Sequence, residues 1–167
     1  IKKVEGGILI QTKDGVSVTE KDLKVVTVKK PSDLEIRAML FANKVVRHVH
    51  SNAVVFAKVL NGVLSVGENR AGGVGDSAMK DEVEVVTGIG AGQMSRVDAV
   101  FIGAHKGGSH VRGSVMASDA FFPFVDGVEA AAKAGALSII QPGGSIHDED
   151  IVAAADRLGL AMMTTGV

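Results

Sequence analysis

Apolar positions along the chain change their spacing from stretch to stretch, and each change marks an element. Leu34, Met39, Leu40, Ala42, Val45, Val46 and Val49 recur at mostly helical intervals. Pro31 and Ser32 stand just ahead of them, and Glu35 follows Ser32 by three places, as in a capping box. The pattern therefore predicts a helix over residues 32–48. Ala53-Val54-Val55-Phe56-Ala57 is instead an unbroken apolar run, short and rich in β-branched residues, which predicts a buried strand. Residues 6–11 and 25–28 read as further strands. Asn61-Gly62, Gly67, Gly72-Gly73 and Gly75 then interrupt any period. Residues 61–82 are expected to form an inserted hairpin or mobile loop, with the insertion starting near residue 59.

Strand character resumes over 83–89, and from there helices and strands alternate. Helices are predicted over 95–106, 126–134 and 148–158, the second stopped by Gly135, and strands over 115–117, 136–140 and 160–163. Such alternation, with unbroken apolar strands, predicts an α/β layered domain with a mostly parallel sheet. No internal repeat is visible.

Composition narrows the function classes. At 167 residues, 46% of them hydrophobic, the chain suits one domain, residues 1–167, with a substantial core. Eighteen basic and 19 acidic residues leave a net charge of −1, so no overall field favours nucleic acid or an anionic membrane. An anionic ligand must be held by local groups. The absence of cysteine excludes disulfides, thiolate metal sites and cysteine nucleophiles, and fits a cytoplasmic location. No apolar run approaches the roughly 20 residues of a membrane helix, and no signal peptide opens the sequence. It starts at Ile1 and stops at Thr165-Gly166-Val167, straight after an apolar segment. Both ends are expected to be cuts through a longer chain, with a processed mature protein as the alternative.

Four loops could carry chemistry, and all adjoin predicted strands, where α/β sheets bind ligands. In His50-Ser51-Asn52, the Asn52 amide offers both donor and acceptor, which suits a neutral amide or a formyl oxygen; a plain cap or turn is the alternative. Gly88-Ile89-Gly90-Ala91-Gly92-Gln93-Met94-Ser95-Arg96 combines close backbone approach, a helix start and a guanidinium suited to phosphate or carboxylate. Its glycine spacing is wrong for a dinucleotide fingerprint, and a tight turn with a surface Arg96 reads equally well. In Ser118-Asp119-Ala120-Phe121-Phe122-Pro123-Phe124-Val125-Asp126-Gly127, aromatic faces could sandwich a planar heterocycle while Asp126 accepts from its ring N–H groups. The alternative is a hydrophobic plug with Asp126 as a helix cap. Gln141-Pro142-Gly143-Gly144-Ser145 is a further glycine turn before a helix. His48, His50, His105, His110 and His147 share no ligand spacing, and no zinc-deaminase, G-x-S-x-G or Walker motif occurs.

Taken in order, Ser51-Asn52-Ala53, the stretch from Gly88 to Asp98, Ser118 to Phe124, and Gln141 to Ile146 resemble the AICAR transformylase part of the bifunctional purine enzyme that usually also carries IMP cyclohydrolase. Gly6-Gly7 is similar to the opening of that enzyme's carboxy-terminal half, and the resemblance runs through nearly the whole chain except about 59–82. It implies a three-layer α/β/α, cytidine-deaminase-like subdomain. It also implies transfer of a formyl group from the cosubstrate 10-formyltetrahydrofolate to AICAR, giving FAICAR. By the same resemblance Asn52 would hold the formyl or carboxamide group as the catalytic contact. Arg96, Phe121, Gln93, Ser95, Pro142 and Gly143 would bind the nucleotide, and Pro123, Phe124 and Asp126 the folate pterin. No metal is implied.

Three departures accompany these matches. The family's catalytic Lys-His pair has no counterpart here, its Arg-bearing tail after Thr164-Thr165-Gly166-Val167 is missing, and residues 61–82 match nothing recognisable. The expected function is thus part of a formyltransferase, incomplete alone. A homodimer partner, or a chain carrying the missing half, would complete it. A non-catalytic folate- or nucleotide-binding or assembly module is the alternative.

Overall fold

The structure is a computed structural model and describes residues 1–11, 15–61 and 82–167. A small antiparallel hairpin, β1 (Lys2–Val4) and β2 (Gly7–Leu9), opens it and stands exposed, apart from the main sheet. The main sheet is built from β3 (Lys24–Val25), β4 (Val54–Asn61), β5 (Glu82–Gly90), β6 (Val115–Ser118), β7 (Ser138–Gln141) and β8 (Ala161–Thr164), in the order β3-β8-β7-β6-β4-β5. Among the described residues the α-helices are α1 (Asp33–Val46), α2 (Arg96–Gly107), α3 (Asp126–Ala134) and α4 (Asp148–Arg157).

The expected element types recur at nearly the expected places. Ser32 caps α1, with its hydroxyl accepting from the Glu35 amide and the Glu35 carboxylate accepting from the Ser32 amide in return. Gly135, at φ +91°, ends α3 in the left-handed region that other residues avoid. The strand expected over 25–28 is shorter, because Thr27 turns its hydroxyl toward the Met162 amide at 2.8 Å where a strand backbone would pair. Of the expected inserted hairpin or mobile loop, residues 62–81 lie outside the described residues; its flanks pair up to Asn61 opposite Glu82.

One expectation is corrected. The sheet is mixed, not mostly parallel: β6, β7 and β8 run parallel, whereas β4 is antiparallel to both β5 and β6, and β3 is antiparallel to β8. An unbroken apolar run reports burial on both faces and carries no information about direction. β5 and β6 flank β4 and run the same way, joined by α2, so the chain makes a crossover around a strand of opposite sense.

Burial on both faces is borne out. On one face Met39, Ala42 and Val46 of α1 pack with Val55, Ala57, Ala117, Ile140 and Met163. On the other, Val100, Val128, Ala131, Ile151 and Ala155 of α2, α3 and α4 pack with Val54, Phe56, Met116, Ile139 and Met162. Successive β4 residues therefore serve opposite cores, as the two-residue strand period requires. The result is a three-layer α/β/α arrangement.

Candidate functional site

Because β4 runs against its neighbours, its first residue lies beside the last residues of the two flanking strands. Val54 pairs with Gly90 on one side and Ser118 on the other. The loops 50–53, 91–95 and 119–125 consequently leave the same end of the sheet. Hydrogen bonds tie them together. The Gly92 amide donates to the His50 carbonyl at 2.7 Å, the Asp119 amide to the Ala53 carbonyl at 3.2 Å, and the Ala53 amide to Asp119 Oδ1 at 3.0 Å. The Ser51–Asn52 peptide is cis.

Arg96 joins the three loops from below. It is the first residue of α2, which Ser95 caps through the Asp98 amide. Its side chain is only 7% exposed. Nη1 ion-pairs with Asp119 Oδ1 and donates to Ser118 Oγ at 2.8 Å, while Nη2 donates to Asn52 Oδ1 at 3.0 Å. Asn52 Nδ2 in turn donates to the Gln93 carbonyl at 3.0 Å. The surface-Arg alternative for Arg96 is thereby removed. Burial opposes ionisation of the Asp119 carboxyl, but hydrogen bonds from Ser51, Arg96 and the Ala53 amide outweigh it and hold the group below its ordinary value.

Above this network lies a cavity of about 360 Å³ lined by Asn52, Met94, Ser95, Arg96, Phe121, Pro123, Phe124 and Asp126, among others. The aromatic segment divides its labour. Phe122 is fully buried in the core, its amide donating to Gln141 Oε1 at 2.9 Å, whereas Phe121 and Phe124 remain exposed at the cavity. The hydrophobic-plug alternative thus describes Phe122, whereas Phe121 and Phe124 stay at the cavity. Asp126 opens α3 and receives the Gly127 amide at 2.7 Å without capping the helix, leaving its carboxylate exposed at the cavity wall.

The other expected residues lie apart. Gln93 folds back, its Nε2 donating to the Ala91 carbonyl at 2.8 Å, and contributes its own carbonyl to Asn52. Pro142 lines a second cavity of about 210 Å³ with Asn43, Arg47, Ser118, Asp119 and Val167. The Arg96–Asp119 pair stands between the two spaces, one partner lining each. Gly143 precedes a turn in which Asp148 already accepts from the Gly144 and Ser145 amides. Beyond the fourth loop, at the start of α4, the His147 ring lies 5.9 Å from that of Phe124. Asp119 is a site residue to which the motifs in the sequence assign no role. A carboxylate directly after a buried strand is itself a signal, since a charge held there needs a partner.

Residues 1–106 match the family described as AICARFT/IMPCHase bienzyme. This chain belongs to that family. It is 48% identical over its whole length to the bifunctional purine biosynthesis protein PurH of Magnetococcus marinus, of which it covers 29%. PurH of Bartonella henselae is 47% identical over 99% of the chain, and PurH of Bartonella bacilliformis 44% over all of it. The chain thus spans less than a third of the length of these AICARFT/IMPCHase relatives. Among the described residues no His, Asp or Glu cluster suited to a metal is present, and no helix is long and apolar enough to cross a membrane.

Proposed function

We propose that this chain supplies the carboxy-terminal part of an AICAR formyltransferase site, binding 10-formyltetrahydrofolate and AICAR without turning them over alone. The observation that carries the reading is the convergence of Asn52, Arg96, Phe121, Phe124 and Asp126 on one cavity. Phe124 and Asp126 take the pterin, the ring stacking on its face and the carboxylate accepting from its N–H groups. Phe121, Ser95 and Arg96 face the nucleotide, with Gln93, Pro142 and Gly143 shaping the surrounding loops. Asn52 stands between the two and contacts the formyl or carboxamide oxygen.

Formyl transfer needs a proton removed from a weakly nucleophilic amine and charge stabilised on the carbonyl oxygen. The lining residues address the second need and the alignment of reactants. Among them Asp126 is the one carboxylate, and in this reading it is committed to the pterin. The proton acceptor therefore comes from a second copy or from a chain carrying the remaining part of the enzyme. Cavity size supports this division, because about 360 Å³ is near the lower end for one small ligand and too little to enclose both reactants. The reaction belongs to purine biosynthesis in the cytoplasm.

Calorimetric titration of the chain with 10-formyltetrahydrofolate and with AICAR tests the reading. Saturable binding of each is expected, with no formyl transfer by the chain alone. Absence of binding to both ligands removes the site, and steady-state turnover at ordinary enzymatic rates removes the claim of incompleteness.

A further inference from the structure

Asn52 has chemically unambiguous partners. Arg96 Nη2 can only donate, so the atom it meets at 3.0 Å is the Asn52 oxygen; the Gln93 carbonyl can only accept, so the atom at 3.0 Å from it is the Asn52 nitrogen. The orientation of this amide is thus set by its neighbours. One N–H of Nδ2 is used on Gln93, and the other has no partner among the described residues while Asn52 lines the cavity. A cationic donor on Oδ1 also pulls electron density from the amide, weakening the oxygen as an acceptor and strengthening the free N–H as a donor.

Arg96 is held in turn by Asp119. The carboxylate is 14% exposed and takes both the Arg96 guanidinium and the Ala53 amide on the same oxygen, fixing the guanidinium beside the chain segment that carries Asn52. We infer that Asp119 is a positioning residue: through Arg96 it turns Asn52 so that the site offers an N–H donor to a carbonyl oxygen or oxyanion, and discriminates against an amino group there. The inference deepens the function proposed above and rests on it for the identity of that oxygen. It assigns Asn52 the donor role that its side chain, taken alone, leaves open.

Side-chain amide NMR and turnover in the same variants test it. The Asn52 amide pair, identified by its disappearance in Asn52→Ala, is expected to shift and to exchange with solvent about ten times faster in Asp119→Ala. Asp119→Asn, which keeps the shape and removes the charge, takes its place if Asp119→Ala does not fold. An unmoved Asn52 pair in a folded variant overturns the inference. In the assembled enzyme, loss of Asp119 should lower kcat about ten-fold with KM for AICAR nearly constant, and adding Asn52→Ala should cost little more. Fully additive losses in the double variant overturn it as well. If the NMR dependence holds while the unmodified protein binds neither 10-formyltetrahydrofolate nor AICAR, the proposed function fails and the positioning of Asn52 by Asp119 stands.

Discussion

Arg96 takes its positive charge into the wall of the cavity already matched with Asp119, so it cannot behave like a free phosphate receptor on a surface. Removing it strands a largely buried carboxylate, and Arg96→Ala should destabilise the fold by about 3 kcal/mol or more, read from denaturant unfolding. The same substitution should weaken AICAR binding more than folate binding; an unchanged dissociation constant for AICAR would separate Arg96 from the nucleotide. Asp126 is the opposite case, exposed and, among the described residues, bonded through its carboxylate only to its neighbour Gly127. Asp126→Ala is expected to weaken folate binding roughly ten-fold or more, the worth of one charged hydrogen bond, with little effect on AICAR. Equal losses in the two titrations would refute the pterin role. Acid provides a further test at Asp119. Its folded-state value lies below the ordinary 3.8, so the unfolded chain takes up the proton first. The stability it contributes is complete above about pH 5 and is lost as pH falls below about 4. Asp119→Asn should flatten that part of the stability profile.

At the scale of elements, glycine decides how closely helices approach the sheet and the aromatic loop. A Cβ on Gly127 would lie 2.6 Å from the Phe122 ring, so the first turn of α3 can sit over that ring only without a side chain. Gly127→Ala should push Phe122 from the core and loosen Phe121 and Phe124 with it. The expected result is a destabilisation of about 1–3 kcal/mol together with weaker folate binding. Gly90 plays the same part where β5 meets α2, since a Cβ there would collide with the Ala99 carbonyl. Neither role is visible in sequence, where Gly90 reads as close backbone approach to a ligand and Gly127 falls inside the predicted helix 126–134. The α1 cap is different: Ser32 and Glu35 were legible from spacing because a capping box is a local arrangement. Ser32→Ala should cost about 1 kcal/mol in thermal or denaturant unfolding and leave ligand binding unchanged.

Across the whole molecule, burial is uneven. β6 and β7 are buried throughout, whereas the β1–β2 hairpin exposes Ile8 and Leu9 and pairs only with itself. Amide hydrogen exchange should be slowest in β6 and β7 and faster by orders of magnitude in the hairpin; similar protection of the two would contradict this packing. Element types, their approximate bounds and the motif-bearing loops were legible because helical and strand periods, caps and glycine stops are short-range properties of the chain. Phe122 shows where that reading ends, since nothing local distinguishes it from Phe121 and Phe124, yet it alone is fully buried. Strand direction is likewise non-local. Residues 53–57 look the same whichever way they run, and only pairing with β5 and β6 makes β4 antiparallel to both. That reversal brings the start of one strand beside the ends of two others, and Asn52 thereby meets Arg96, which Asp119 holds in turn. The residue types of the site are written in the chain; their meeting, and the direction in which Asn52 presents its amide, depend on contacts between residues dozens of positions apart.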